Sequence, residues 1–274
     1  MNEPRVYKQP LFGVFLSAIM MMFSCGIIFF VSNTLADLWF IIPILGLFGI
    51  AFLISLFSYT SKVTITEDEI TSSYLFIPKT LRWTEINRAS GTGSGIKLHS
   101  EDTTVSISSR LPGIEEIIEI IGQKRADIFS HQEFSEMRRG LFSYLGFFAI
   151  GLLFAGIIIA FFMMSDFSSD SLLSAAFIAF FLIFFMWTFL SSPQSLTIEN
   201  NNLQVKYLLG EKNFSANDVA SIFFAHTRTR RGGKQYFISL NSKDGKNIRI
   251  SGLNIGLPVA YLVLKNWHKK FANP

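Results

Sequence analysis

The sequence predicts membrane α-helical hairpins alternating with small β-rich domains, the whole duplicated within one chain. Three observations predict it. Four long segments carry no charge. Each pair of them is followed by a polar segment that alternates apolar and polar residues. The second half repeats the first.

The uncharged segments are Leu11 to Val31, Leu38 to Ser58, Leu141 to Met164 and Leu172 to Ser191. At about 1.5 Å per residue the first would measure roughly 31 Å, near the ~30 Å hydrocarbon core of a bilayer. The chain has 274 residues and 30 Phe, and 21 of those Phe fall in the four segments. A soluble core would spread its aromatics more evenly. Charged residues make up 16%, against about a quarter in ordinary soluble domains. The first segment is longer than a signal-peptide apolar region of about 7–15 residues and no small-x-small cleavage site follows it, so it reads as a retained helix.

The connections Ser32 to Asp37 and Ser165 to Ser171 are short and hold no Lys or Arg. All 24 Lys and Arg lie in the N-terminal tail, the middle segment and the C-terminal segment, with Arg5, Lys8, Lys62, Arg138 and Arg139 close to the span ends. Basic loops stay inside. The expectation is a multi-pass protein of a bacterial inner membrane with both termini cytoplasmic. No Asp, Glu, Lys, Arg or His falls within the spans, which argues against pumps, proton-coupled transporters and intramembrane hydrolases. Pro43, Gly46 and Gly49 suggest close helix packing in the second span.

The halves align at an offset of 130 around Lys8-Gln9-Pro10-Leu11 and Arg138-Arg139-Gly140-Leu141. After the second span the offset settles at 133, pairing Val63 with Leu196, Ile70 with Leu203, Tyr74 with Tyr207 and Ile86 with Val219. It then rises to 142 at Ile96 and Ile238, and reaches 146 at Leu111-Pro112 and Leu257-Pro258. A constant offset with matching polarity is the mark of tandem duplication. The second copy therefore holds about nine extra residues between Val219 and Ile238.

Val63-Thr64-Ile65-Thr66 has the period-two pattern of a half-buried strand, and further strands are expected at 70–76, 80–83, 86–90, 96–100 and 103–108. Pro112 and Pro258 each open a helix, with apolar stripes at Ile114, Ile117, Ile118 and Ile121 and at Val259, Leu262, Val263 and Trp267. The expected division is a tail (1–10), a transmembrane hairpin (11–59), a β-domain (60–125), a linker (126–140), a second hairpin (141–191) and a second β-domain (192–274). The linker reads as a helix, either lying at a membrane surface or serving as a connector.

Each half resembles a bacterial pleckstrin-homology-like membrane protein. The resemblance rests on Val63-Thr64-Ile65-Thr66, Ile70 and Leu81-Arg82-Trp83-Thr84-Glu85-Ile86, and on Leu196-Thr197-Ile198, Leu203 and Phe214-Ser215-Ala216-Asn217-Asp218-Val219. The second copy departs from it with Ala216 where the first has Trp83. The family implies a small antiparallel β-barrel or sandwich capped by a C-terminal helix, serving as a binding or assembly scaffold rather than an enzyme. It supplies no ligand.

The inserted segment holds Arg228, Arg230, Arg231 and Lys234 around Gly232-Gly233. Like charges this close repel, so the tip must be solvated or face an anion. It is the candidate binding site for anionic phospholipid headgroups or an acidic partner, weighed against a solubilising turn. Gly91-Thr92-Gly93-Ser94-Gly95 has strands on both sides and so reads as a hairpin turn rather than a phosphate loop. His99, His131, His226 and His268 have no metal-like spacing. Glu115, Glu116 and Glu119 form the polar side of a helix, and no G-x-S-x-G nucleophile motif occurs. The single Cys25 excludes an internal disulfide. No cofactor, metal site or catalytic residue is expected. The partners expected are the lipid bilayer, anionic headgroups and a membrane or cytoplasmic protein, without nucleic acid. The function expected is a non-enzymatic scaffold; the alternative is a subunit of a small-solute transporter or channel.

Overall fold

The computed structural model describes residues 4–9, 11–34, 43, 46–53, 61–74, 77–164, 169–228 and 233–272. It divides into two compact units: unit 1 is Met1–Ala89 with Ile96–Arg125, and unit 2 is Ser90–Gly95 with Ala126–Pro274.

In unit 1, β1 (Arg5–Lys8) precedes the helix α1 (Leu11–Thr34) and α2, described over 46–53. Then come β2 (Lys62–Ile65), β3 (Glu69–Tyr74) and β4 (Ile77–Arg82). These strands form an antiparallel sheet in the order β1-β2-β3-β4. β5 (Arg88–Ser90), β6 (Ile96–His99) and β7 (Thr104–Ile107) form a second sheet, and α3 (Ile114–Lys124) follows. The alternation of the strands puts Val63, Ile70, Ile96, Leu98 and Val105 out of solvent entirely, with the stripe Ile114, Ile117, Ile118 and Ile121 of α3 equally buried. At about 25 cal/mol per Å² of apolar surface, this burial is the main favourable contribution to the unit.

Unit 2 has the same element order. β8 (Glu136–Arg138) precedes α4 (Leu141–Met164) and α5 (Ser169–Leu190). β9 (Ser195–Glu199), β10 (Asn202–Tyr207) and β11 (Gly210–Ser215) complete a sheet in the order β11-β10-β9-β8. β12 (Val219–Arg228), β13 (Lys234–Ser242) and β14 (Asn247–Ile250) form the second, and α6 (Leu257–Phe271) closes the chain. The register repeats as the residues do: Ile70 faces Leu81, and Leu203 faces Phe214.

Two segments behave differently from the sequence expectation. Arg5–Lys8 pairs with β2, Tyr7 opposite Val63, and Glu136–Arg138 pairs with β9, Met137 opposite Leu196. The expected tail and the end of the expected linker are thus the edge strands of the two larger sheets. In each unit the apolar helices are inserted between the first and second strand. The rest of the linker is not a helix lying on a surface. It makes a short 3-10 turn at Ala126–Ile128, buries Phe129 completely, and gives the carbonyls of Ala126 and Phe129 to Asn266 Nδ2 at 3.0 and 3.4 Å.

The expected membrane-hairpin fold class and the multi-pass inner-membrane localisation need correction in the helices. Among the described residues one helical stretch, Ser143–Ala160, is long and apolar enough to cross a membrane, with mean hydropathy 2.2. The apolar stretches Gly13–Phe29 and Ala176–Leu190 are shorter. The second expected span lies largely outside the described residues. One qualifying helix does not make a multi-pass inner-membrane protein of two hairpins, and the four antiparallel sheets, not membrane hairpins, set the architecture. A Cβ at Gly46 or Gly49 would meet nothing within 4 Å, so neither marks a close helix contact among the described residues.

Candidate functional site

The inserted residues lengthen one hairpin. β12 and β13 pair from Val219 with Ser242 out to Arg228 with Lys234, the register shifting between Val219 and Ser221. β14 pairs with β13 only from Asn241 to Ile238. Beyond Ile238 the hairpin continues as a two-stranded ribbon. Strand alternation puts Phe224, His226 and Arg228 on one face, opposite Ile238, Tyr236 and Lys234.

That face is aromatic at its root and cationic at its end. Phe224 stacks on Tyr236 with centroids 5.2 Å apart and planes 12° apart, and lies 5.7 Å from Tyr261 of α6. His226 lies 5.5 Å from Tyr236. Lys234 Nζ sits 5.9 Å from the Tyr236 ring centre, and Lys265 Nζ sits 5.6 Å from that of Tyr261. Tyr236 and Tyr261 are buried, which fixes the ribbon root against α6. Arg228 and Lys234 are exposed and directly opposite one another. Like charges so placed repel, and an anion between them relieves the repulsion.

The other face carries a polar ladder. Asn241 Nδ2 donates to Ser221 Oγ at 3.2 Å, and Asn247 Nδ2 donates to Ser239 Oγ at 2.9 Å and Asn241 Oδ1 at 2.6 Å. Beside it the Arg249 guanidinium lies 4.8 Å over Phe237, and Phe223 is 54% exposed.

Of the four basic residues singled out in the sequence, Arg228 and Lys234 are brought together; Arg230 and Arg231 lie outside the described residues. His226, Tyr236 and Lys265 were missed. Period-two spacing from Arg228 points to His226, but Tyr236 and Lys265 join the group only through cross-strand register and helix packing.

The remaining candidates have structural partners. His99 Nδ1 is 3.0 Å from Thr104 Oγ1, and burial, aided by Arg88 and Lys97, pushes its pKa below the ordinary 6.5. His131 packs edge-on against Phe271, and burial, with Lys270 adding, lowers its pKa too. His268 Nε2 is 2.9 Å from the Val219 carbonyl. Glu116 pairs with Arg5. The Gly91–Gly95 segment is a turn whose Gly93 carbonyl accepts from the Leu257 amide at 2.7 Å. A Cβ on Gly91 would come within 2.6 Å of the Gly95 carbonyl oxygen, and one on Gly256 within 2.8 Å of Gly91 Cα. These glycines serve close backbone approach rather than a phosphate.

Arg139, noted in the sequence as a basic residue close to a span end, is half-buried. Its guanidinium lies 4.7 Å over Phe189, and its Nε and Nη1 are buried without an acceptor. Burial lowers its pKa, with Tyr144 opposing the change. Gln9 stands at the equivalent place in the first copy and is also buried, its Nε2 without a partner.

No protein-family model matches this chain, and no curated protein matches it by sequence.

Proposed function

We propose that this chain is a non-enzymatic binding scaffold whose second unit captures an anionic partner with the β12–β13 ribbon. The observation that carries this reading is the distribution of charge. Val219 to Lys243 holds Arg228, Arg230, Arg231, Lys234 and Lys243 and no Asp or Glu. In the first copy the equivalent β5 is three residues long and ends in a glycine-rich turn with no charge. A duplicated unit that gains an acid-free cationic ribbon in one copy only has gained a surface for an anion. The resemblance to bacterial pleckstrin-homology-like domains is part of this proposal. A four-stranded and a three-stranded antiparallel sheet followed by an apolar-striped helix, in each unit, support it.

The full chain carrying Arg228→Gln, Arg230→Gln, Arg231→Gln and Lys234→Gln is the test. Titration with a fluorescent poly-glutamate peptide, and with phosphatidylcholine vesicles with and without phosphatidylglycerol, should give binding that the variant loses by tenfold or more, about 1.4 kcal/mol. Higher salt should weaken it. Equal binding by parent and variant rejects the reading.

A further inference from the structure

The insertion adds a strand edge as well as charge. β12 has ten residues and stands at the end of its sheet. β13 lies along one side of it, and among the described residues no strand lies along the other. An unpaired edge offers a row of backbone donors and acceptors to any extended chain, and proteins normally protect such edges. The usual devices are shortness, proline, charge along the strand, or a bulge. β12 is long. Its stretch Ala220 to Thr227 reads Ala-Ser-Ile-Phe-Phe-Ala-His-Thr, with no proline, Lys, Arg, Asp or Glu. The register shift falls at Val219 and Ser221, the root of the strand, and leaves the outer part regular. Its Ile, Phe and Thr residues favour extended backbone.

The charge then selects what pairs there. The edge runs into Arg228, with Lys234 opposite. A second copy of this chain would bring the same cationic end and the same acid-free strand, and so is disfavoured. An extended segment with acidic side chains matches both features: its backbone completes the ladder, and its carboxylates meet the cationic end. Main-chain pairing supplies affinity in this mode, and alternate side chains supply specificity.

We propose that the free edge of β12 takes up an extended acidic peptide as an additional strand. This deepens the ribbon reading above and rests on it.

The full chain is titrated with a capped octapeptide of alternating Val and Glu. Two controls follow: the same peptide with alternate backbone nitrogens methylated, so that one edge cannot donate while the charge is unchanged, and a Val-Gln version. The amides of β12 are followed by hydrogen exchange. The expected result is that the Val-Glu peptide binds and slows exchange at residues 220–228. Methylating the peptide edge that faces β12 should weaken binding by at least tenfold, and the Gln version should also weaken it. If both methylated registers bind as well as the parent peptide, strand addition is overturned while the cationic ribbon stands. If the four Arg/Lys→Gln changes leave peptide binding intact, the ribbon reading fails as well. Binding to phosphatidylglycerol vesicles with none to the peptide overturns the peptide and assigns the ribbon to a lipid surface.

Discussion

The two copies reach the same packing by exchanging one indole across the helix–sheet contact. In unit 1 Trp83 is buried in the turn after β4, and its Nε1 donates to the Thr66 carbonyl at 3.3 Å. In unit 2 that position is Ala216, and the indole comes from Trp267 of α6, whose Nε1 donates to the Asn200 carbonyl at 2.8 Å. Trp267 matches Ile121 of α3 at the offset of 146. A large and a small residue have traded sides, and the indole still satisfies a carbonyl in the turn before the third strand of its sheet. The capping of the next carbonyl differs likewise. Arg125 Nη1 donates to the Ile86 carbonyl, while at the equivalent Val219 carbonyl the partner is His268. Cores are filled to a fixed density, so volume lost from one wall is recovered from the other. The hairpins differ without such compensation: β5 with its glycine-rich turn in one copy, a cationic ribbon in the other. Compensated differences preserve the fold, and the uncompensated one is where function should lie.

The sharpest way to break the comparison is at the indoles. Trp267→Ala should cost about 3–5 kcal/mol, as large core truncations do. In unit 1 Trp83→Ala should cost a similar amount, and Ile121→Trp alone about 1–3 kcal/mol by overpacking. The double variant Trp83→Ala with Ile121→Trp should be more stable than the sum of the two predicts by at least about 1 kcal/mol. Chemical denaturation measures all three; additive losses would mean that the copies are not exchanging one packing position.

A second change tests whether the ribbon is separable from the fold. Replacing Thr227–Gln235 by Asn-Gly joins His226 to Tyr236, a cross-strand pair, through a two-residue turn. It keeps the Phe224–Tyr236 stack and removes both charged strand ends. Stability should change by less than about 1 kcal/mol, since the described residues among those removed are surface-exposed. Binding of the poly-glutamate probe should fall by tenfold or more. Thermal melting and titration read the two effects separately, and retained binding would end the contrast between the copies.

The smallest effect is expected at the roots of the helices. Arg139 holds a partly buried cation with two unpaired donors, and such a group stabilises little. Arg139→Met keeps the contact with Phe189 and removes the desolvated charge, so stability should stay within about 1 kcal/mol of the parent or rise. A larger loss on denaturation would mean that the guanidinium has an acceptor.

Much of the β-structure was legible because its signals are local. The period-two alternation of Val63 to Thr66, the stripes of α3 and α6 and the constant offset of 133 all follow from neighbouring residues, whose spacing dictates which side chains share a face. The basic insertion was legible for the same reason, as composition at one place in an alignment of the chain with itself. Tertiary structure decided the rest, because those features depend on partners far away in sequence. Arg5–Lys8 and Glu136–Arg138 are too short to read as strands until β2 and β9 supply their backbone partners. Arg139 is a charge in the sequence and a stacked, half-buried side chain in the fold, because Phe189 covers it. The sequence by itself determined the duplication and the place where the copies diverge. Only the tertiary structure decided that the divergence is a two-stranded ribbon whose β12 stands at the end of its sheet among the described residues, since strand pairing is a relation between distant segments that no single segment encodes.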